Sequence, residues 1–169
     1  MRLALTLLAA VSLPVSAADP KPEINRGTVQ PQAVNAVHTL RQIPEACARI
    51  EGMFTGQAAD PYKFAVVRTS PTCQPRARFV DAAKVKPSEQ TGWKFNDLIR
   101  VPNAVCPSQQ AVVRVWRKPA ATAVPPKLDA QGQARIYLQD SKQVAATNKM
   151  PAVPVFAAAM SVEGKACGG

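Results

Sequence analysis

The sequence predicts an all-β protein: a single antiparallel sandwich or barrel of about seven strands, preceded by a signal peptide and one short N-terminal helix. Three observations carry this reading. From Cys47 onward, short runs rich in Val, Ile, Phe, Tyr, Trp and Thr alternate with turn residues. Sixteen prolines scattered over 169 residues leave no heptad intact, which excludes a coiled coil. Four cysteines follow an export leader, and an even count in that setting reads as two disulfides.

The leader is residues 1–17. Arg2 supplies its positive end, Leu3 to Leu13 an apolar run too short for a bilayer span of about 20 helical residues, and Val15-Ser16-Ala17-Ala18 the small residues of a cleavage site. No later run is apolar enough to cross a membrane, so no transmembrane segment is expected in the mature chain. The address is therefore periplasmic or secreted. The absence of any Asn-x-Ser/Thr site leans towards a bacterial envelope over a eukaryotic secretory route.

Residues 18–45 form a proline-rich N-terminal segment. Within it Ala33, Ala36, Val37 and Leu40 recur at i, i+3, i+4 and i+7, which predicts a short helix at 32–42 stopped by Pro44. Residues 46–169 are then the disulfide-stabilised β domain. Its expected strands are Cys47–Phe54, Tyr62–Thr69, Arg76–Asp81, Trp93–Val101, Ala111–Lys118, Ala134–Asp140 and Pro154–Glu163. The connections 119–133 and 141–153 are long enough to suggest a crossing between sheets.

One hairpin suggests its own register. Pairing Tyr62–Thr69 with Arg76–Asp81 sets Val67 beside Ala77, Ala65 beside Phe79 and Lys63 beside Asp81. The same register sets Arg68 opposite Arg76, an unfavourable pair unless solvent or an anionic partner relieves it. In an antiparallel meander alternate loops share an end. This favours Cys73–Cys106, leaving Cys47–Cys167 to tie the first strand to the C-terminus.

The charge is unevenly spread. Residues 63–118 hold eleven basic against three acidic side chains, net +8, whereas 18–62 are net −1 and 119–169 net +2. In Ala111–Lys118, Val113 and Val115 alternate with Arg114, Trp116 and Lys118. Beside the hairpin, Arg68, Arg76, Arg78, Arg114, Trp116 and Lys118 would make one cationic face. Guanidinium groups recognise carboxylates and phosphates bidentately, and an indole can stack on a flat ligand. The same pattern also describes a solvated face that keeps strand edges unpaired.

Catalytic constellations are sparse. His38 is the single histidine, so multi-histidine metal sites are excluded, and neither a G-x-S-x-G nor a phosphate-cradling glycine loop occurs. No cofactor and no metal is expected. Glu51, Asp97 and Glu163 lie on or near strands, and Glu51 with Glu163 would be the carboxylate pair of an exported hydrolase. The favoured expectation is a non-enzymatic exported domain that binds an anionic glycan, a glycolipid or an acidic exported protein. Nucleic acid suits the charge but not the address. A structural subunit docking through its proline-rich arm is the remaining alternative.

Overall fold

The structure, a computed structural model, describes residues 20–73, 75–120 and 153–167. The leader, the strand expected at Ala134–Asp140 and nearly all of the long connections beside it lie outside the described residues. Among those described, eight strands form two sheets. They are β1 (Ile24–Asn25), β2 (His38–Ile43), β3 (Ala48–Phe54), β4 (Tyr62–Arg68), β5 (Arg78–Asp81), β6 (Lys94–Pro102), β7 (Gln109–Lys118) and β8 (Val155–Gly164). One sheet has the order β1-β6-β7-β8-β5 and the other β2-β3-β4. The protein is all-β, as the turn-punctuated runs imply. A short α-helix, α1 (Ala82–Val85), follows β5, capped where the Asp81 carboxylate accepts from the Ala83 amide.

Alternation explains how the sheets meet. In β3 the even residues Ala48, Ile50, Gly52 and Phe54 are buried and the odd ones half-exposed. In β7 the odd residues Ala111, Val113 and Val115 face inward beside Val101, Ile99 and Asp97 of β6. Leu40, Ile43, Ile50, Phe54 and Tyr62 from one sheet and Ile99, Val101, Val113, Val115 and Phe156 from the other share one core.

Strand directions are mixed rather than wholly antiparallel: β1 runs parallel to β6, and β5 parallel to β8. The expected hairpin is not formed. β4 instead pairs along its whole length with β3, through the 55–61 turn, and β5 lies at the far edge of the other sheet. A seven-residue ladder between β3 and β4 outweighs the few side-chain matches of the alternative register. Arg68 therefore faces Ala48, not Arg76.

The helix expected at 32–42 is also replaced. His38–Ile43 is a strand with a bulge: Thr39 pairs with Glu51 and Arg41 with Ile50, leaving Leu40 as the extra residue. The bulge lets Leu40 and Ile43, three apart, both enter the core, which imitates a helical period. The N-terminal segment thus contributes a strand to the core rather than a helix docked on it.

Both disulfides form, but with other partners than the meander argument favours: Cys47–Cys73 and Cys106–Cys167. The real register explains each. Ala48 pairs with Arg68, so the start of β3 and the end of β4 share an end. Gln109 pairs with Gly164, which brings the β6–β7 loop beside the chain leaving β8. Closing loops of 26 and 61 residues contributes roughly 3.5 and 4 kcal/mol by chain entropy.

Candidate functional site

The outward face of the five-stranded sheet can be read row by row from the register. On β7, Val112, Arg114, Trp116 and Lys118 lie on the side away from the shared core, where Val112 is itself fully buried, Arg114 and Trp116 are half-buried and Lys118 is exposed. Their neighbours on β8 are Ser161, Ala159, Ala157 and Val155, and on β6 Arg100 lies beside Val112 and Leu98 beside Arg114. On β5, Arg78 lies beside Val155 and Val80 beside Ala157. Arg78 and Lys118 therefore flank Val155 in a single row, both exposed.

Four of the six residues expected to form the cationic face share this surface: Arg78, Arg114, Trp116 and Lys118. Arg114 reaches the Ser161 hydroxyl at 3.3 Å and the Glu163 carboxylate at 3.8 Å. Trp116 is half-buried and rests against Phe95, ring centroids 5.7 Å apart. Arg78 and Lys118 make no ion pair among the described residues.

The other two lie elsewhere. Arg68, on the three-stranded sheet, donates to the carbonyls of Ser70, Pro71 and Cys73 at 2.9, 3.1 and 3.0 Å. It closes the loop around the Cys47–Cys73 bridge. Arg76 lies before β5, where its backbone amide donates to the Glu45 carbonyl. The basic third of the chain is thus divided between the two sheets. Arg100 joins the outward face instead, and the alternation Leu98, Ile99, Arg100, Val101 was a legible signal for it.

Carboxylates are dispersed. Glu51 points outward from the three-stranded sheet, paired with Arg49 at 2.5 Å. Glu163 points outward from the five-stranded sheet. The two expected hydrolase acids therefore stand on opposite exteriors and do not meet. Among the described residues no three His, Cys, Asp or Glu side chains gather as a metal site.

Asp97 is the chemically unusual residue. It is fully buried, and its Oδ2 accepts from Arg26 Nε at 2.8 Å and Arg41 Nη1 at 3.2 Å. Two bulges create this contact across the sheets. The extra residue near Leu40 turns Arg41 inward, and the register shift between Phe95 and Asp97 turns the carboxylate inward to meet it. Burial pushes the Asp97 carboxyl above the usual carboxylate range, against the opposing pull of Arg26 and Arg41. Burial likewise lowers the Arg41 guanidinium from its ordinary value, with Asp97 opposing. A neighbouring 260 Å³ cavity is lined by Glu23, Arg41, Asn96, Arg117 and Phe156 among others. Arg117 pairs with Glu23 at 3.2 Å, and the Asn96 amide, oriented to donate to Glu23 and accept from Arg41, completes the network. Its ion pairs make this cluster a brace between the sheets, while Asp97 Oδ1 and Arg117 Nε are buried without a hydrogen-bond partner among the described residues.

Comparison with known proteins finds no family model, no curated protein and no solved structure that matches this chain.

Proposed function

We propose that this protein is an exported binding domain that recognises an anionic envelope component through the outward face of its five-stranded sheet. On this reading residues 1–17 are a cleaved signal peptide, the two sheets are the halves of a β-sandwich, and the protein works in the periplasm or outside the cell. Anionic glycan, phosphorylated glycolipid and an acidic exported protein are the partner chemistries the face suits. Two disulfides accord with an oxidising compartment. No helix among the described residues is long and apolar enough to cross a membrane.

One observation carries the proposal: Arg78 and Lys118, brought from distant parts of the chain, flank Val155 in one register row beside Trp116, with no carboxylate paired to either among the described residues. A cation pair with no counterion among the described residues is attractive to a polyanion and costs little in solvent. The test is binding of the processed chain to isolated envelope fractions across a salt series. Affinity should fall steeply with ionic strength and be lost on Arg78→Glu with Lys118→Glu. Binding that ignores both salt and charge reversal would overturn the reading.

A further inference from the structure

We infer that the free edge of β4 docks an extended apolar segment of a partner protein as a fourth strand of its sheet. The segment enters antiparallel to β4, with an acidic residue at its N-terminal end. This surface is separate from the outward face of the five-stranded sheet, and the inference goes beyond the reading above.

The ladder leaves the edge open. β4 is the last strand of the order β2-β3-β4. The Thr55 amide donates to the Pro61 carbonyl and the Thr69 amide to the Cys47 carbonyl, both in the register of the β3–β4 ladder. The ladder bonds therefore run through the odd residues of β4. The amides and carbonyls of Phe64 and Val66 point to the other side, where they have no partner among the described residues. Such an edge is a template for another strand.

The core is open at the same place. Phe64 and Val66 share the core-facing side of β4 with Tyr62, beside Gly52, Ile50 and Phe54 of β3. Tyr62, Ile50 and Phe54 are fully buried, whereas Val66 is 43% exposed. On β8, Ala158 and Met160 are only half-buried, although their β7 neighbours Val115 and Val113 are fully buried. β5 ends beside Ala158 and covers no more of that row. Between the edges of the two sheets lies an open cavity of about 390 Å³, lined by Phe64, Val66, Phe79 and Ala158 among others. Alternate side chains of an added strand would enter it, while its main chain pairs with β4.

Charge selects the occupant. At the end of β4, Arg68 gives its Nε and Nη2 to the carbonyls of Ser70, Pro71 and Cys73. That holds the guanidinium in place and leaves its Nη1 without a partner among the described residues. Arg76 is exposed at the same end, tied there by its amide to the Glu45 carbonyl. Neither arginine has a carboxylate partner among the described residues. Away from that end the charges are already paired, Lys63 with Asp60 and Lys84 with Asp81. An acidic residue therefore belongs opposite Arg68, and apolar ones opposite Val66 and Phe64. Antiparallel pairing, the more stable kind, makes the acidic residue N-terminal. A second copy of this chain would instead bring its own basic region against this one.

The experiment titrates the processed chain with the capped hexapeptide Glu-Thr-Val-Thr-Val-Thr and follows backbone amides by NMR. Two further probes carry Lys in place of Glu, or N-methyl groups on both valines. The parent peptide should shift the Phe64 and Val66 amides and slow their exchange. N-methylation should weaken binding about tenfold or more, because both donors to the edge are gone. The Lys peptide should bind roughly three- to tenfold more weakly. Val66→Pro removes an amide that the ladder does not use, at an edge position that tolerates proline, and should also abolish the response. If that variant fails to fold, the methylated peptide decides. Equal binding of the methylated peptide, or unmoved Phe64 and Val66 amides, would overturn the edge assignment. Equal binding of the Lys peptide would overturn the acidic one. Slow exchange of both amides in the dilute free chain would show that the chain covers its own edge. Protection that grows with concentration alongside dimer formation would assign the edge to a second copy. Either result would overturn the partner assignment.

Discussion

The Tyr62 hydroxyl donates to His38 Nε2 at 2.8 Å, reaching from β4 to β2 across the bare backbone of Gly52 on β3. His38 Nδ1, 3.3 Å from the Ala36 carbonyl, carries the proton that makes Nε2 the acceptor. Only glycine permits the crossing: a Cβ on residue 52 would lie 1.8 Å from the Tyr62 oxygen. The single histidine is thus a structural tie beneath one sheet, not a catalytic base.

Gly52→Ala should therefore destabilise the protein by about 1–3 kcal/mol, the range for overpacking a filled core. Urea unfolding measures this. Tyr62→Phe combined with Gly52→Ala should still be destabilised, because the ring carbon bearing the hydroxyl would lie 2.5 Å from the new methyl. Full recovery in the double variant would mean that the hydroxyl alone obstructs.

Burial lowers the His38 pKa below its ordinary value of 6.5, with the Ala36 carbonyl pulling weakly the other way. The unfolded chain then binds a proton more readily than the folded one. Stability is fully present above pH 6.5 and declines as pH falls through 6.5 towards the folded-state value. His38→Gln should flatten this part of the profile. A denaturation series from pH 5 to 8 tests it, and an identical slope in the variant would remove His38 as the cause.

Asp97→Ala leaves Arg41 largely buried without its counterion, and should cost about 3 kcal/mol or more. Adding Arg41→Met should recover much of that loss, since an apolar replacement no longer needs the carboxylate. A double-mutant cycle by chemical denaturation reads the coupling. Additive losses would mean that the two bulged strands are held by packing alone.

Gly164 ends β8 with φ near 90°, and a Cβ there would lie 1.8 Å from the Ser108 carbonyl oxygen, beside the Cys106–Cys167 bridge. Here the obstacle is backbone and cannot rotate away. Gly164→Ala should lose about 1–3 kcal/mol. Gly27→Ala, with nothing within 4 Å of the added atom, should stay within about 0.5 kcal/mol of wild type.

Strand positions were legible because alternation and turn chemistry are local. Val113 and Val115 against Arg114 and Trp116 gave the inward and outward faces of β7 before any partner was known, and the small residues of β8 could be read in the same way. Bulges hide from that reading. Leu40 and Ile43 share a face only because one residue is extra, so their spacing imitates a helix, and Asp97 looks like the facemate of Phe95 until the register shift turns it inward. Arg68 and Arg76 would join the cationic face only through a hairpin whose local matches are weaker than the β3–β4 ladder.

By itself, then, the amino-acid order determined that this chain is built of strands, that its cysteines pair, and that one row of β7 carries Arg, Trp and Lys together. Which strands adjoin, which cysteines meet, and that Arg78 comes to stand across Val155 from Lys118 were decided in three dimensions. The reason is physical: pleating is a property of neighbours in the chain, whereas pairing is a competition between ladders far apart in it, settled by the total burial and hydrogen bonding each arrangement achieves.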